Sequence, residues 1–186
     1  MKKQGGAGRT HVSRRGAALI FVAVCVIFSL LVLGGAKLAA LRADVTAAYD
    51  GATGSIVDDM RLHNENAYNI LTVARRLLGD EDADVRELDA AYREINGAST
   101  PSALYAADQR IDAAVITLVG KLNDYGMNEK DTRLVAAEKS SMDSQDMIVA
   151  RSDYNARVAE YEAVVSGFPA NLIARMRGLG APEYYR

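Results

Sequence analysis

Apolar residues along the chain fall into two regimes. Across residues 16–36 they run together with no charge at neutral pH, through Leu19, Ile20, Val22, Val24, Val26, Ile27, Leu30, Leu31, Val32 and Leu33. At about 1.5 Å per residue, a helix of that length crosses the roughly 30 Å hydrocarbon core of a bilayer, so the segment reads as a transmembrane helix. From Lys37 onward, apolar positions recur every three or four residues without sustained alternation, which predicts an all-α body.

Within that body, a stripe through Leu38, Leu41, Val45, Ile56, Met60, His63, Ala67, Ile70, Ala74 and Leu77 predicts a first helix running on from the membrane to about Leu78. Gly51 and Gly54 mark where it kinks or breaks, since each costs about 1 kcal/mol relative to Ala. Gly79 stops the helix. Asp84, with Glu87 three residues on, has capping-box spacing for a short helix over 85–95. The segment 96–101 is a loop ending in Thr100-Pro101, an N-cap followed by Pro at the first helical position. The next stripe comprises Leu104, Ala107, Ile111, Ala114, Leu118, Leu122 and Tyr125, ended by Gly126. Asn128 caps a final long helix over 129–166 with Met147, Tyr154, Val158, Tyr161, Val165 and Phe168 on one face. Pro169 forces a break, and a short helix carrying Leu172, Ile173 and Met176 follows. Single-striped helices joined by short loops fold back on one another. The expected fold is therefore an N-terminal transmembrane helix followed by an antiparallel, coiled-coil-like bundle of three long helices plus one short helix.

Charge adds a direction. The net −2 conceals +5 within residues 1–15, from Lys2, Lys3, Arg9, Arg14 and Arg15, and −7 in the remainder. Positive charge next to a span favours the cytoplasmic side. The expected organisation is a basic cytoplasmic tip over 1–15, a transmembrane helix over 16–36 and an extracytoplasmic helical bundle over 37–186, in a single-pass protein of the cell membrane. A cleavable signal peptide is the rival, because Gly34-Gly35-Ala36 resembles a cleavage region, but the apolar run exceeds the roughly 7–15 residues usual for one. Cys25 lies mid-span rather than after it, against a lipoprotein. As the single cysteine it also excludes an internal disulfide or a Cys-based zinc cluster. Membrane topology and anionic headgroups account for the basic tip without nucleic acid.

Candidate chemistry is sparse. Asp80, Asp82 and Asp84 match the first ligands of an EF-hand loop, but Val85 replaces the required Gly and Ala91 the closing Glu, so they read as solvated capping acids. His63 sits on the apolar stripe with no Cys or second His nearby, and reads as a bundle residue rather than a ligand. His11 belongs to the tip and is expected to be solvated. Asp58, Asp59 and Glu65 read as surface acids, and Tyr49, Tyr68, Tyr92, Tyr105 and Tyr125 as packing residues. No catalytic, cofactor-binding or metal-ligating residue and no small-molecule substrate is expected. A cluster of perturbed acids in a pocket is the observation that favours catalysis instead.

The stretch 150–161, from Ala150-Arg151 through Tyr154-Asn155, Val158 and Tyr161, then Val165, Phe168-Pro169, Asn171-Leu172-Ile173-Ala174 and Tyr184-Tyr185, resembles the LemA family. Upstream, 122–126 looks like that family's helix end, with Gly126 where Pro is usual. The resemblance implies a single-pass bacterial envelope protein with an antiparallel helical bundle and no established catalytic activity. Its motif positions here are Arg151, Tyr154, Asn155, Val158, Tyr161, Phe168, Pro169 and Ile173. Physically, Tyr154, Tyr161 and Phe168 read as a packing seam, Pro169 as a forced corner, and Asn155 as an amide beside the seam that fixes helix register by hydrogen bonding. The functional expectation is a membrane-anchored scaffold or adaptor of the cell envelope, touching the lipid bilayer and a protein partner or a second copy of itself. The alternative is an extracytoplasmic sensor whose ligand shifts the helices and which signals through a membrane partner.

Overall fold

The computed structural model describes residues 13–51 and 53–186. Lys2, Lys3, Arg9 and His11 of the basic tip lie outside the described residues. Helix α1 (Arg14–Ser29) opens on Ser13, whose hydroxyl accepts the Gly16 N–H at 3.1 Å. It buries no side chain. One π-helical turn over Leu30–Gly34 leads into α2 (Gly35–Asp50). Together they make one helix, Arg14–Asp50, long and apolar enough to cross a membrane.

The glycines break the first body helix rather than kink it. Gly54 has φ of +70°, a backbone that Gly adopts without steric cost. Ser55 then starts α3 (Ile56–Leu78), accepting the Asp58 N–H and donating to the Gly51 carbonyl. The continuous helix expected to reach Leu78 therefore ends at Asp50. Asp82, not Asp84, caps α4 (Ala83–Gly97), because its carboxylate accepts the N–H groups of both Asp84 and Val85. Asp84 instead shares Lys121 with it, at 2.6 and 2.7 Å. Thr100 and Pro101 open α5 (Pro101–Tyr125), and Gly126 ends it in the left-handed region. Asn128 caps α6 (Glu129–Ala150).

The long helix expected over 129–166 is divided at 151–153. Ser152 accepts the Tyr154 N–H as α7 (Tyr154–Ser166) begins, and Pro169 separates α7 from α8 (Ala170–Arg177). Among the described residues there is no strand.

Helix α3 is central, packing along α6 on one side and against α4 and α5 on the other, while α4 and α5 form a close hairpin. Its buried Met60, Ala67, Ile70, Leu71 and Ala74 join Leu88, Ile111, Leu118, Val135 and Met142 in one core. The sparse contact between α5 and α6 leaves a cleft. Toward the apolar N-terminal helix, α7 and α8 pack on α2. Ile173 and Ala174 of α8 cover Leu38 and reach Leu31, and a methyl added at Gly34 would meet Ile173 Cδ1 at 3.1 Å. The short helix is thus fixed against the end of the apolar span.

The motif residues divide. Tyr154, Val158, Tyr161 and Ile173 are buried, but Arg151 is exposed at the end of α6, and Phe168, expected on the seam, is 85% exposed. Gly167 is extended, with φ and ψ of −86° and 156°, and this ends α7 before its stripe reaches Phe168. Met147, expected on the same face, is likewise exposed. Asn155 joins no two helices. It donates to the Tyr185 carbonyl and accepts the Tyr185 N–H, each at 2.9 Å, so it clamps the C-terminal segment instead of setting register. Tyr154 and Tyr161 reinforce that clamp by donating to the carbonyls of Glu183 and Leu179.

Candidate functional site

Four side chains from three helices meet at the floor of the α5–α6 cleft. His63 projects from the central helix α3 on its apolar stripe and is fully buried. Asp108 and Asp112 lie one turn apart on α5, and Asp146 faces them from α6. His63 Nε2 lies 3.2 Å from Asp112 Oδ1 and 3.3 Å from Asp146 Oδ1, while its Nδ1 lies 3.4 Å from Asp108 Oδ1. Tyr185, carried in by the Asn155 clamp, donates to Asp108 Oδ2 at 3.2 Å. One candidate ligand atom from each of the four residues falls within 4.8 Å of the other three.

Burial differs across the cluster. Asp108 is buried, whereas Asp112 and Asp146 are partly open to the cleft. The cleft measures about 380 Å³ and is lined by Tyr105, Gln109, Val149 and Asn155 as well as by the three acids. Two deep polar atoms, His63 Nδ1 and Asp108 Oδ1, face each other without a hydrogen bond.

The electrostatics follow from three carboxylates crowded around one imidazole. Burial pushes the His63 imidazole down, but the hydrogen bond with Asp112 and the charges of Asp108, Asp146 and Asp112 outweigh it, and the ring holds its proton above the ordinary histidine value. Burial is also the main cause that pushes the Asp108 carboxyl up, to about 6. The His63 charge opposes this, and Asp112 and Asp146 add to it. Asp146 is raised by burial and by Asp112. Burial and then Asp108 raise the Tyr185 phenol, which stays a neutral donor. With every acid ionised and His63 protonated the group still carries −2, so it calls for further positive charge or protons.

His63 is a buried bundle residue, as its stripe implies, but it has three acidic neighbours that the sequence did not reveal, and the four side chains lie close enough to hold a metal ion where no ligand was expected. Two acids of the cluster, Asp108 and Asp146, are held above the ordinary carboxylate value and line a pocket. The acids were missed because Asp108 and Asp112 sit on the flank of a clean apolar stripe, and Asp146 belongs to another helix. The available signal was Asp108 itself, an acid directly between Ala107 and Ile111, at a position where a solvated residue has little room. Elsewhere, surface acids pair with nearby cations, and Asp82 takes the capping place expected of Asp84. Asp82 caps α4, with its carboxyl held low by the Lys121 hydrogen bond, and Asp58 and Glu65 pair with Arg61 on the surface.

The model of the LemA family matches residues 54–186, more than two thirds of the chain and the whole of the four-residue cluster. No curated protein and no solved structure matches the chain.

Proposed function

The chain belongs to the LemA family, and on that footing we propose that it is a membrane-anchored scaffold or adaptor of the bacterial cell envelope, with its N-terminus cytoplasmic and its bundle outside, acting through protein contact. The observation that carries this reading is the join between span and bundle. The apolar helix continues without interruption into α2, and α7 and α8 are packed on it, so the bundle is held in a fixed attitude to the bilayer. A fixed attitude suits a docking platform, which must present the same flank to each partner.

The join also sets a depth. Leu172 and Met176 are one turn apart and exposed on α8, Phe168 is exposed in the turn just before it, and α8 is pinned to residues 31–38 where the apolar run ends. Such a face beside Arg175 and Arg177 suits the boundary between acyl chains and headgroups. We place α8 on the outer leaflet. Protein partners then meet the flank above it, where Ile116 on α5 and Met147 and Ile148 on α6 are exposed. A photo-crosslinking residue at position 116 or 147, irradiated in native membranes, is expected to give a discrete protein adduct. Recovery of lipid adducts alone contradicts the scaffold.

The cleft favours a second reading, an extracytoplasmic sensor. Helices α5 and α6 touch only sparsely around about 380 Å³ of partly polar space, and a ligand bridging them changes their separation. If no small molecule raises the melting temperature of the full chain in detergent, this reading fails. Catalysis receives less support, because the buried imidazole does not itself line the cleft and so meets no substrate-sized molecule directly.

A further inference from the structure

We propose that His63, Asp112 and Asp146 form a binding site for one divalent first-row transition-metal ion at the floor of the α5–α6 cleft, with Asp108 orienting the imidazole from behind. This site goes beyond the scaffold role and stands independently of it.

The geometry carries the assignment. An ion held by bonds of about 2.1 Å has neighbouring ligand atoms roughly 3.0 Å apart in octahedral and 3.4 Å apart in tetrahedral coordination. The distances from His63 Nε2 to Asp112 Oδ1 and to Asp146 Oδ1, 3.2 and 3.3 Å, fall between these limits. The two carboxylates come from different helices and converge on one nitrogen from the open side, where Asp112 and Asp146 line the cleft and give an ion its path in. The far side of the ring is closed by Asp108.

A second observation separates this group from an ordinary patch of acids. His63 has no exposed surface, yet its Nδ1 has no hydrogen-bond partner, and Asp108 Oδ1, equally deep and equally unpartnered, lies 3.4 Å away. Leaving two buried polar atoms unmatched is costly. A metal on Nε2 resolves the mismatch, since it fixes the ring proton on Nδ1 and directs it at Asp108. This is the carboxylate–histidine–metal arrangement, in which an outer carboxylate sets the tautomer and raises ligand basicity. Tyr185 holds that carboxylate from its other oxygen. The C-terminal tail, fastened by Asn155, thus completes the outer shell.

The donor set names the class of ion. One imidazole with two carboxylates suits Mn²⁺, Fe²⁺ or Zn²⁺, whereas Mg²⁺ and Ca²⁺ prefer all-oxygen sites. A dication also answers the charge on the cluster, which a single imidazolium leaves negative.

The test is a titration of Mn²⁺ into the full-length protein, stripped with EDTA in detergent micelles, followed by the electron paramagnetic resonance signal of free Mn²⁺. One saturable ion per chain that persists in excess Mg²⁺ is expected. Asp112→Asn and Asp146→Asn, both on the open side, are expected to abolish that saturation while circular dichroism stays helical. His63→Gln is expected to remove the preference over Mg²⁺. Asp108→Asn, a positioning change, should keep the stoichiometry and weaken binding by about 10- to 100-fold. Absence of saturable binding overturns the proposal. Binding unchanged in Asp112→Asn and Asp146→Asn overturns it equally, and those two variants decide the matter should His63→Gln fail to fold.

Discussion

Asp108 is a buried carboxyl facing His63 from α3, Asp112 on its own helix, Asp146 from α6 and Tyr185 from the tail. Its folded value of about 6 lies above the ordinary 3.8, so the folded state keeps a proton that the unfolded chain releases, and the associated stability is lost as pH rises from about 4 to 6. His63 acts in the same direction. Its raised value contributes stability that is complete below the ordinary histidine value and lost as pH rises through the folded value. In EDTA the melting temperature is therefore expected to fall as pH rises from 4 to 8, and the Asp108 part of the lost stability, on the order of 3 kcal/mol, falls between about pH 4 and 6. Asp108→Asn should flatten that slope, and an unchanged slope in a calorimetric pH series contradicts the assignment. Asn155 makes a separate prediction. Asn155→Leu removes both tail hydrogen bonds and should cost about 1–2 kcal/mol, with amide exchange at Tyr185 accelerating ahead of the core. Of this chemistry, the sequence displayed His63 on its stripe but not its partners. Residues 45 to 83 positions away in the chain share no period with it, and only the docking of α5 and α6 onto α3 brings them together.

Among the helices, local grammar placed most ends. Thr100-Pro101, Gly126, Asn128 and Pro169 act as their side chains and backbone preferences dictate. The division at 151–153 was obscured because it contains neither Gly nor Pro and the apolar stripe continues across it. Ser152 and Asp153 just before Tyr154 were the legible warning, since both residue types compete with helical hydrogen bonding. Phe168 was misplaced for a related reason, as a stripe extrapolated through Gly167 ignores the extended turn made there. Its exposure acquires a purpose if α8 rests on lipid. The chain contains no Trp, so Phe168→Trp introduces a single reporter. In liposomes its emission is expected to be quenched by lipids brominated near the headgroup end of the acyl chain. Quenching no stronger than for the same substitution at Tyr125, exposed at the end of α5, contradicts the seating of α8.

At the scale of the whole molecule, two features stand out. One is the helix Arg14–Asp50, long and apolar enough to cross a membrane, whose α2 part packs against α7 and α8, and the other is a charged cleft where α5 and α6 part. Both follow from the distribution of apolar surface. Helix α1 is apolar all round and buries no side chain, whereas the body helices are apolar on one stripe and bury it together. The all-α class and the antiparallel packing were visible in that contrast from the start. Which side of the membrane the bundle occupies rests on charge alone, and it decides whether envelope partners can reach the flank and the cleft. The direct measurement replaces Asp80, in the exposed turn between α3 and α4, with Cys in a Cys25→Ala background and treats intact spheroplasts with a membrane-impermeant maleimide. The account predicts full labelling of Asp80→Cys before lysis. Labelling that appears only after the membrane is opened would place the bundle in the cytoplasm and contradict it.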